Sequence, residues 1–274
     1  MLKQRLFTVA IVLPLFLGLM FQAPNPVWAG VLAAAVMVGA FEWARLGGFS
    51  SIGRMAFVIV LFLSCATLLL LYIFLPDRSF LSRVLYPLCL LATLFWIVVA
   101  PAALHFGWQV RNPVVLSLTG WLILVPTWLA AVVLQRKPHW LLLILGAVWL
   151  ADTSAYLTGR RFGRHKLAPR VSPGKTIEGL LGAYVAVLIY VTIFLRIYLP
   201  EAGLSTYLSL LVAGFILTSL SVEGDLLESW FKRQAGAKDS GGLLPGHGGV
   251  LDRIDSATAT LPFAVLFFAE AVQR

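Results

Sequence analysis

Long apolar runs separated by short polar segments make up most of this 274-residue chain. A helix needs about 20 apolar residues to cross a bilayer, and nine runs are candidates. The predicted spans are 6–22, 27–46, 55–76, 82–102, 114–135, 139–158, 177–199, 205–228 and 255–271. The pattern therefore predicts an all-α polytopic membrane protein with about nine transmembrane helices.

Two longer polar segments interrupt this pattern, at 159–176 and 229–254. Acidic residues concentrate in the same half of the chain, since nine of the 12 lie between Asp152 and Asp255. We therefore predict an N-terminal transmembrane scaffold over 1–138. Residues 139–274 are predicted to form a catalytic transmembrane region that carries both polar loops.

Composition supports the membrane class, because 60% of residues are hydrophobic and 12% are charged, against about 25% charged in soluble domains. With a cytoplasmic N-terminus, 15 of the 21 Lys and Arg residues fall on the cytoplasmic side, as topology rules favour. This orientation puts both polar loops on one face. The net charge of +9 then suits lipid headgroups or nucleotide phosphates, and we predict no nucleic-acid partner.

One helical face at the end of the eighth predicted span carries polar groups. Spacings of three or four residues separate Asp225, then Glu228 or Ser229, and then Lys232. Their side chains therefore share that face. A carboxylate inside an apolar helix is costly and usually faces a polar cavity or a charged partner.

A second acidic pair, Asp252 and Asp255, stands at the start of the last predicted span. If the two helices pack together, this pair can converge with Asp225. Carboxylate oxygens of this kind suit Mg²⁺, which commonly takes one or two carboxylates together with substrate phosphates. We predict Asp225, Asp252 and Asp255 as metal ligands.

The loop between these acids is rich in cations and glycines. Cations suit phosphate oxygens, and glycines allow backbone N–H groups to approach a phosphate. The cations are Lys232, Arg233, Lys238 and Arg253, and the glycines are Gly241, Gly242, Gly246, Gly248 and Gly249. A solvated loop with topology-setting charges would explain the cations equally well, but it would not explain the acidic pair.

The other polar loop offers a second candidate phosphate site. Ser172, Lys175 and Thr176 precede an apolar helix, which predicts an anion-binding helix N-terminus. Glu178 in the first turn fits a capping role as well as a functional one, and Asp152 lies at the end of the preceding span. The basic residues over 160–170 are open to either interpretation, phosphate binding or topology.

The segment 229–255 reads SxxKRxxxxKDxGxxLPGHGGxxDRxD, where x is any residue. It closely resembles the signature of phosphatidate cytidylyltransferases, also called CDP-diacylglycerol synthases. Segments 152–163 and 172–179 are similar to that family too, and the resemblance is strong over roughly 140–272. The 15 specified positions in one segment make a chance match very unlikely.

The resemblance implies that CTP and phosphatidic acid react to give CDP-diacylglycerol and pyrophosphate. It implies dependence on Mg²⁺, with a second metal ion left open, and a homodimer in the bilayer. The expected location is the bacterial inner membrane, with the active site facing the cytoplasm. Two alternatives remain at this point: a cytidylyltransferase for another lipid or prenyl phosphate, and a cation-coupled membrane transporter.

The resemblance also suggests residue roles. Asp225 and Asp252 would bind metal, with Asp255 and Asp239 next in line. His247, with Gly248 and Gly249, would contact the triphosphate or the leaving pyrophosphate. The predicted catalytic residues are Asp225, Asp239, Asp252, Asp255, Lys232 and His247. The predicted substrate-binding residues are Asp152, Ser172, Lys175, Thr176, Glu178, Ser229, Arg233, Lys238, Gly248, Gly249 and Arg253.

Overall fold

A computed structural model describes residues 2–75, 77–242 and 248–268 of the chain. Within these ranges we number nine helices and two strands. They are α1 (Leu2–Gln22), α2 (Asn25–Leu46), α3 (Ser51–Phe74), α4 (Arg78–Phe106, with π-helical turns at Leu81–Leu85 and Phe95–Val99), α5 (Pro113–Leu134), α6 (Pro138–Phe162), β1 (Lys166–Ala168), β2 (Ser172–Thr176), α7 (Ile177–Tyr198), α8 (Leu204–Gln234) and α9 (Leu251–Phe267).

Seven of these helices, α2 to α8, are long and apolar enough to cross a membrane. Many large apolar side chains on them are exposed, as expected for helices whose outer faces contact lipid. The all-α polytopic class is therefore confirmed. The number of helices that cross the bilayer and the orientation of the N-terminus stay predictions.

Helix α9 occupies the inside of the bundle. It packs against α8, α5 and α4, and most of its residues from Ser256 to Val265 are buried. Thr127 of α5 donates a hydrogen bond to the Thr258 carbonyl oxygen at 3.3 Å. Because the neighbours enclose α9, the acidic residues at its start are held at one end of the bundle.

The first polar loop folds into a short hairpin. Strands β1 and β2 pair antiparallel, with Lys166 opposite Thr176 and Ala168 opposite Ser172. Sequence patterns predicted a loop here and gave no sign of strands. Ser172 and Lys175 therefore lie on a strand rather than in a helical turn, and the side chain of Thr176 caps α7 by accepting the Gly179 N–H at 3.1 Å.

Candidate active site

Three carboxylates meet where α8 passes the start of α9. Asp225 and Glu228 project from α8 and Asp255 from α9, and one oxygen atom from each lies within 4.8 Å of the others. The convergence of Asp225 with Asp255 agrees with the geometry that the sequence pattern suggested. Like charges at this separation repel one another, so the arrangement favours a bound cation.

Gly224 allows the two helices to approach closely enough for this convergence. A Cβ atom built on Gly224 would lie 2.5 Å from the backbone oxygen of Asp255 and 3.1 Å from the Cα atom of Ser256. Ser256 donates a hydrogen bond to the Ser221 carbonyl oxygen at 3.0 Å. Small residues at such crossings are the usual route to tight packing between membrane helices.

We expect Gly224→Ala to destabilise the protein by about 1–3 kcal/mol, the usual cost of overpacking, and to impair catalysis. The added methyl group would push Asp255 away from Asp225. Thermal unfolding in detergent and an activity assay measure the two effects. Gly30→Ala is the matched control, because nothing lies within 4 Å of a Cβ at Gly30. Equal melting temperatures for the two variants would contradict the prediction.

Glu228 joins the carboxylate group although it was not among the predicted ligands. It is buried, and its Oε2 atom accepts a hydrogen bond from Lys232 Nζ at 2.8 Å. Its Oε1 atom is also buried and has no hydrogen-bond partner among the residues that the structure describes. A buried oxygen without a partner costs free energy, so this atom is well suited to bind a cation. The spacing of three residues from Asp225 was the signal that could have identified it.

Asp252 is not one of the three converging carboxylates, and it is hydrogen-bonded on both oxygens. Lys232 Nζ lies 2.5 Å from Oδ1. Oδ2 accepts hydrogen bonds from the backbone N–H groups of Ser240 (2.9 Å) and Gly249 (2.8 Å), and from the Ser240 hydroxyl (2.8 Å). The predicted ligand Asp252 thus organises the loop in this structure, and Glu228 occupies the position next to Asp225 and Asp255.

The hydrogen bonds at Asp252 also decide its ionisation. Burial alone would raise the pKa of this carboxyl, which precedes the ninth predicted span. Hydrogen bonds from Lys232, Gly249 and Ser240 outweigh burial and lower the pKa to about 2. The side chain is therefore a carboxylate at neutral pH and can pair with the ammonium group of Lys232.

A cavity of about 620 Å³ adjoins the carboxylates. Its walls come from the end of α6, the hairpin, the start of α7 and α8. The polar lining residues are Asp152, Tyr156, Arg160, Lys166, Ser172, Lys175, Thr176 and Asp225. Four of the predicted substrate-binding residues, together with Asp225, therefore face one space.

Lys175 connects the hairpin to the carboxylates. Its Nζ atom lies 2.8 Å from Asp225 Oδ2 and donates to the Val222 carbonyl oxygen at 3.1 Å. The structure therefore joins the first polar loop to the acidic face of α8, just before the second polar loop begins.

Glu178 holds the turn between α6 and β1. Its carboxylate accepts hydrogen bonds from the backbone N–H groups of Arg164 (3.0 Å) and His165 (3.2 Å), and His165 Nδ1 lies 2.7 Å from it. These contacts position the hairpin over the cavity. Glu178 itself does not line the cavity, so in this structure its contacts are those of a structural anchor.

The other predicted residues lie around the second loop. Ser229 donates a hydrogen bond to Asp225 Oδ1 at 3.2 Å. Gly248 has a positive φ of 79°, and the Gly249 N–H predicted to bind phosphate is donated to Asp252. His247 lies outside the described residues. The side chains of Arg233, Lys238, Asp239 and Arg253 are exposed.

The N-terminal region also contributes to this loop. Glu42 of α2 is 4% exposed and accepts hydrogen bonds from the Ser240 hydroxyl (3.1 Å) and from the N–H groups of Val250 (3.2 Å) and Leu251 (2.8 Å). Sequence analysis assigned 1–138 to the scaffold and gave Glu42 no part in the site. Glu42 is a single acidic residue within an apolar run, and this was the sequence signal that could have identified it.

Comparison with known proteins gives a consistent picture. The model of the cytidylyltransferase family matches residues 3–270. The phosphatidate cytidylyltransferase of Pseudomonas aeruginosa is 39% identical over 281 residues, which covers 98% of each chain. That of Haemophilus influenzae is 34% identical over 291 residues, 98% of this chain and 99% of its own. That of Staphylococcus haemolyticus is 48% identical over 124 residues, 45% of this chain and 46% of its own.

Proposed function

Because this chain belongs to the cytidylyltransferase family, we propose that it transfers CMP from CTP to phosphatidate, giving CDP-diacylglycerol and pyrophosphate. The relatives that support this assignment match nearly the full length of the chain and carry the name of that activity. The protein is an enzyme of the nucleotidyltransferase class.

We infer the location of the reaction from one contact in the structure. The ion pair of Lys175 with Asp225 joins the cavity to the three-carboxylate group at 2.8 Å. Two anionic substrates, a nucleoside triphosphate and a phosphomonoester lipid, require cations and a metal site side by side. We assign the reaction to this junction.

The residues present fit a divalent cation. Asp225, Glu228 and Asp255 would hold it, and the unpartnered Oε1 of Glu228 supplies a ligand atom without breaking an existing hydrogen bond. We propose Mg²⁺, since all three ligands are carboxylates. When bound, it would neutralise negative charge on the substrate phosphates.

The side chains of this protein bind and orient the substrates. Lys175 and Arg160 line the cavity and would donate hydrogen bonds to phosphate oxygens. A phosphatidate oxygen attacks the α-phosphorus of CTP, a new P–O bond forms, and the bond to the β-phosphate breaks, releasing pyrophosphate. No protein nucleophile takes part, so catalysis rests on positioning and charge neutralisation.

A transfer assay tests the proposal. The purified protein in detergent is given α-³²P-labelled CTP, Mg²⁺ and one acceptor, either phosphatidate or a prenyl phosphate. We expect labelled lipid with phosphatidate and an equal amount of pyrophosphate. Labelled lipid with the prenyl phosphate alone would overturn the acceptor assignment. The absence of labelled lipid from both acceptors would overturn the proposed function and favour a transporter.

We further propose that the site faces the cytoplasm of a bacterial inner membrane. The distribution of Lys and Arg supports this orientation, and CTP is a cytoplasmic metabolite. A single cysteine introduced at the exposed position Asp239, in a variant that carries Ser at Cys65 and Cys89, would be labelled by a membrane-impermeant maleimide in inverted vesicles. Labelling of intact spheroplasts instead would reverse the orientation.

We also propose a homodimer, which rests on the family resemblance. Light scattering of the detergent-solubilised protein, corrected for bound detergent, is expected to give twice the chain mass of 30.0 kDa. A mass of one chain at working concentrations would contradict this assignment.

A further inference from the structure

We propose that Glu42 on α2 is a positioning residue for the transfer reaction, acting through Ser240 and the start of α9 on Asp252 and Lys232. This inference rests on the proposed function. It assigns a catalytic contribution to the N-terminal half of the chain. Before position 140 the sequence has two acidic residues, Glu42 and Asp77.

Among the described residues, the side chain of Glu42 accepts hydrogen bonds from Ser240 of the loop and from the start of α9. Its two carboxylate oxygens accept hydrogen bonds from the Ser240 hydroxyl and from two consecutive backbone N–H groups, those of Val250 and Leu251. The first N–H groups of a helix have no partner within the helix. Glu42 therefore satisfies donors at the start of α9 and attaches that start to α2. Arg45, one turn further on, donates to the Ser240 carbonyl oxygen.

Two glycines of the loop, Gly241 and Gly249, lie directly against the Glu42 carboxylate. A Cβ atom at Gly241 or at Gly249 would clash with Glu42 Oε1 in both cases. Gly30 and Gly242, by contrast, have nothing within 4 Å of a Cβ. Because only glycine permits this approach, the backbone at Gly241 and at Gly249 lies directly against the buried Glu42 carboxylate.

A continuous set of hydrogen bonds leads from Glu42 to the carboxylate group. Ser240 is fully buried, and its hydroxyl lies 3.1 Å from Glu42 Oε2 and 2.8 Å from Asp252 Oδ2. Asp252 holds Lys232 at 2.5 Å, and Lys232 holds Glu228 at 2.8 Å.

Each step in this series fixes the next side chain. The Ser240 hydroxyl has one hydrogen, for which the Glu42 and Asp252 carboxylates compete, so a change at Glu42 alters the hydrogen bond from Ser240 to Asp252. Asp252 is fixed in turn by Ser240, and it sets the position of the Lys232 ammonium group beside Glu228. A change at Glu42 should therefore reach the proposed metal ligands through four contacts, without any contact between Glu42 and substrate.

Removing a group that is hydrogen-bonded to a metal ligand typically costs about 10–100-fold in affinity or activity, and Lys232, whose position Glu42 would influence, is such a group for Glu228. We expect Glu42→Gln to lower kcat by about 10-fold or more and to raise the Mg²⁺ concentration for half-maximal activity, with the KM for phosphatidate nearly unchanged. Gln keeps the volume of the Glu side chain. Its NH₂ group, however, cannot accept a hydrogen bond from the N–H groups that it would face. Glu42→Asp, which keeps the charge on a shorter stem, should recover part of the activity.

The rate of trypsin cleavage measures the conformation of the loop independently of enzyme turnover. Trypsin can cleave after Lys238, which is exposed. In substrate-free protein we expect faster cleavage after Lys238 in Glu42→Gln than in wild type, with cleavage after Arg170 in the hairpin loop unchanged. Gln135→Ala is the matched control, because Gln135 is also buried and anchors α1 through the carbonyl oxygens of Met20 and Ala23. It should lower the melting temperature and leave both kcat and cleavage at Lys238 unchanged.

The outcomes separate this inference from the proposed function. If wild-type protein makes no labelled lipid, the proposed function fails. If wild type is active and Glu42→Gln matches it in kcat, Mg²⁺ dependence and cleavage at Lys238, the positioning role is wrong. A Glu42→Gln variant that loses only thermal stability, as Gln135→Ala should, would likewise overturn it and leave the proposed function intact.

Discussion

Asp225→Asn is expected to reduce CMP transfer by about 100-fold or more, a loss typical of removing one well-placed electrostatic contact in an active site. Asp225 is the point where the cavity, the hairpin lysine and the carboxylate group meet. Asparagine preserves the shape of the side chain but removes the negative charge that would hold a divalent cation and Lys175. The fold should persist, because the Asp225 side chain is 34% exposed.

The measurement is kcat in purified protein at saturating CTP and phosphatidate, over a range of Mg²⁺ concentrations. Glu201→Gln is the matched control, an exposed carboxylate in the turn between α7 and α8, at the end of these helices away from the site. We expect wild-type kcat for this control. A folded Asp225→Asn variant with activity within two-fold of wild type would remove Asp225 from the site.

Lys232→Met is expected to have the largest effect on stability. The ammonium group of Lys232 is shared by Glu228 and Asp252, whose side chains are 5% and 8% exposed. Removing one partner of a buried ion pair costs about 3–5 kcal/mol, because the remaining charge is left buried without compensation. Here two carboxylates would be left beside Asp255, so we expect a lower melting temperature and loss of CMP transfer.

Thermal unfolding in detergent measures this effect, and Lys238→Met provides the comparison. Lys238 belongs to the same loop but is exposed, and exposed charges contribute about 0–1 kcal/mol. Its replacement should leave the melting temperature unchanged. The double variant Lys232→Met/Asp252→Asn should melt above Lys232→Met, since one uncompensated charge has been removed. A melting temperature of Lys232→Met equal to that of wild type would show that the pair does not stabilise the fold.

The membrane class and the positions of the two polar loops follow from local properties of the sequence. Hydropathy over about 20 residues decides whether a helix can cross a bilayer, so seven predicted spans correspond closely to long apolar helices. The spacing of Asp225 and Glu228 along one helix determines that they share a face. The signature over 229–255 identifies the family without any knowledge of the fold.

The presence of Glu228, and not Asp252, in the three-carboxylate group could not be derived in the same way. Both residues were visible in the sequence as acids next to Asp225 or Asp255. Which of them joins the carboxylate group depends on how α8 and α9 pack together, and the close contact of Gly224 with the backbone of Asp255 is part of that packing. Helical periodicity describes one helix at a time and contains no information about this contact.

The sequence by itself determined that this is a polytopic helical membrane enzyme, and which two loops carry its polar chemistry. Only the tertiary structure decided which carboxylates meet, that residues 166–176 form a hairpin over the cavity, and that Glu42 supports a loop some 200 residues away. The physical reason is distance. Spacing along a helix constrains neighbours within one or two turns, whereas contacts between helices depend on how closely their backbones can approach, and small residues at the crossings set that limit.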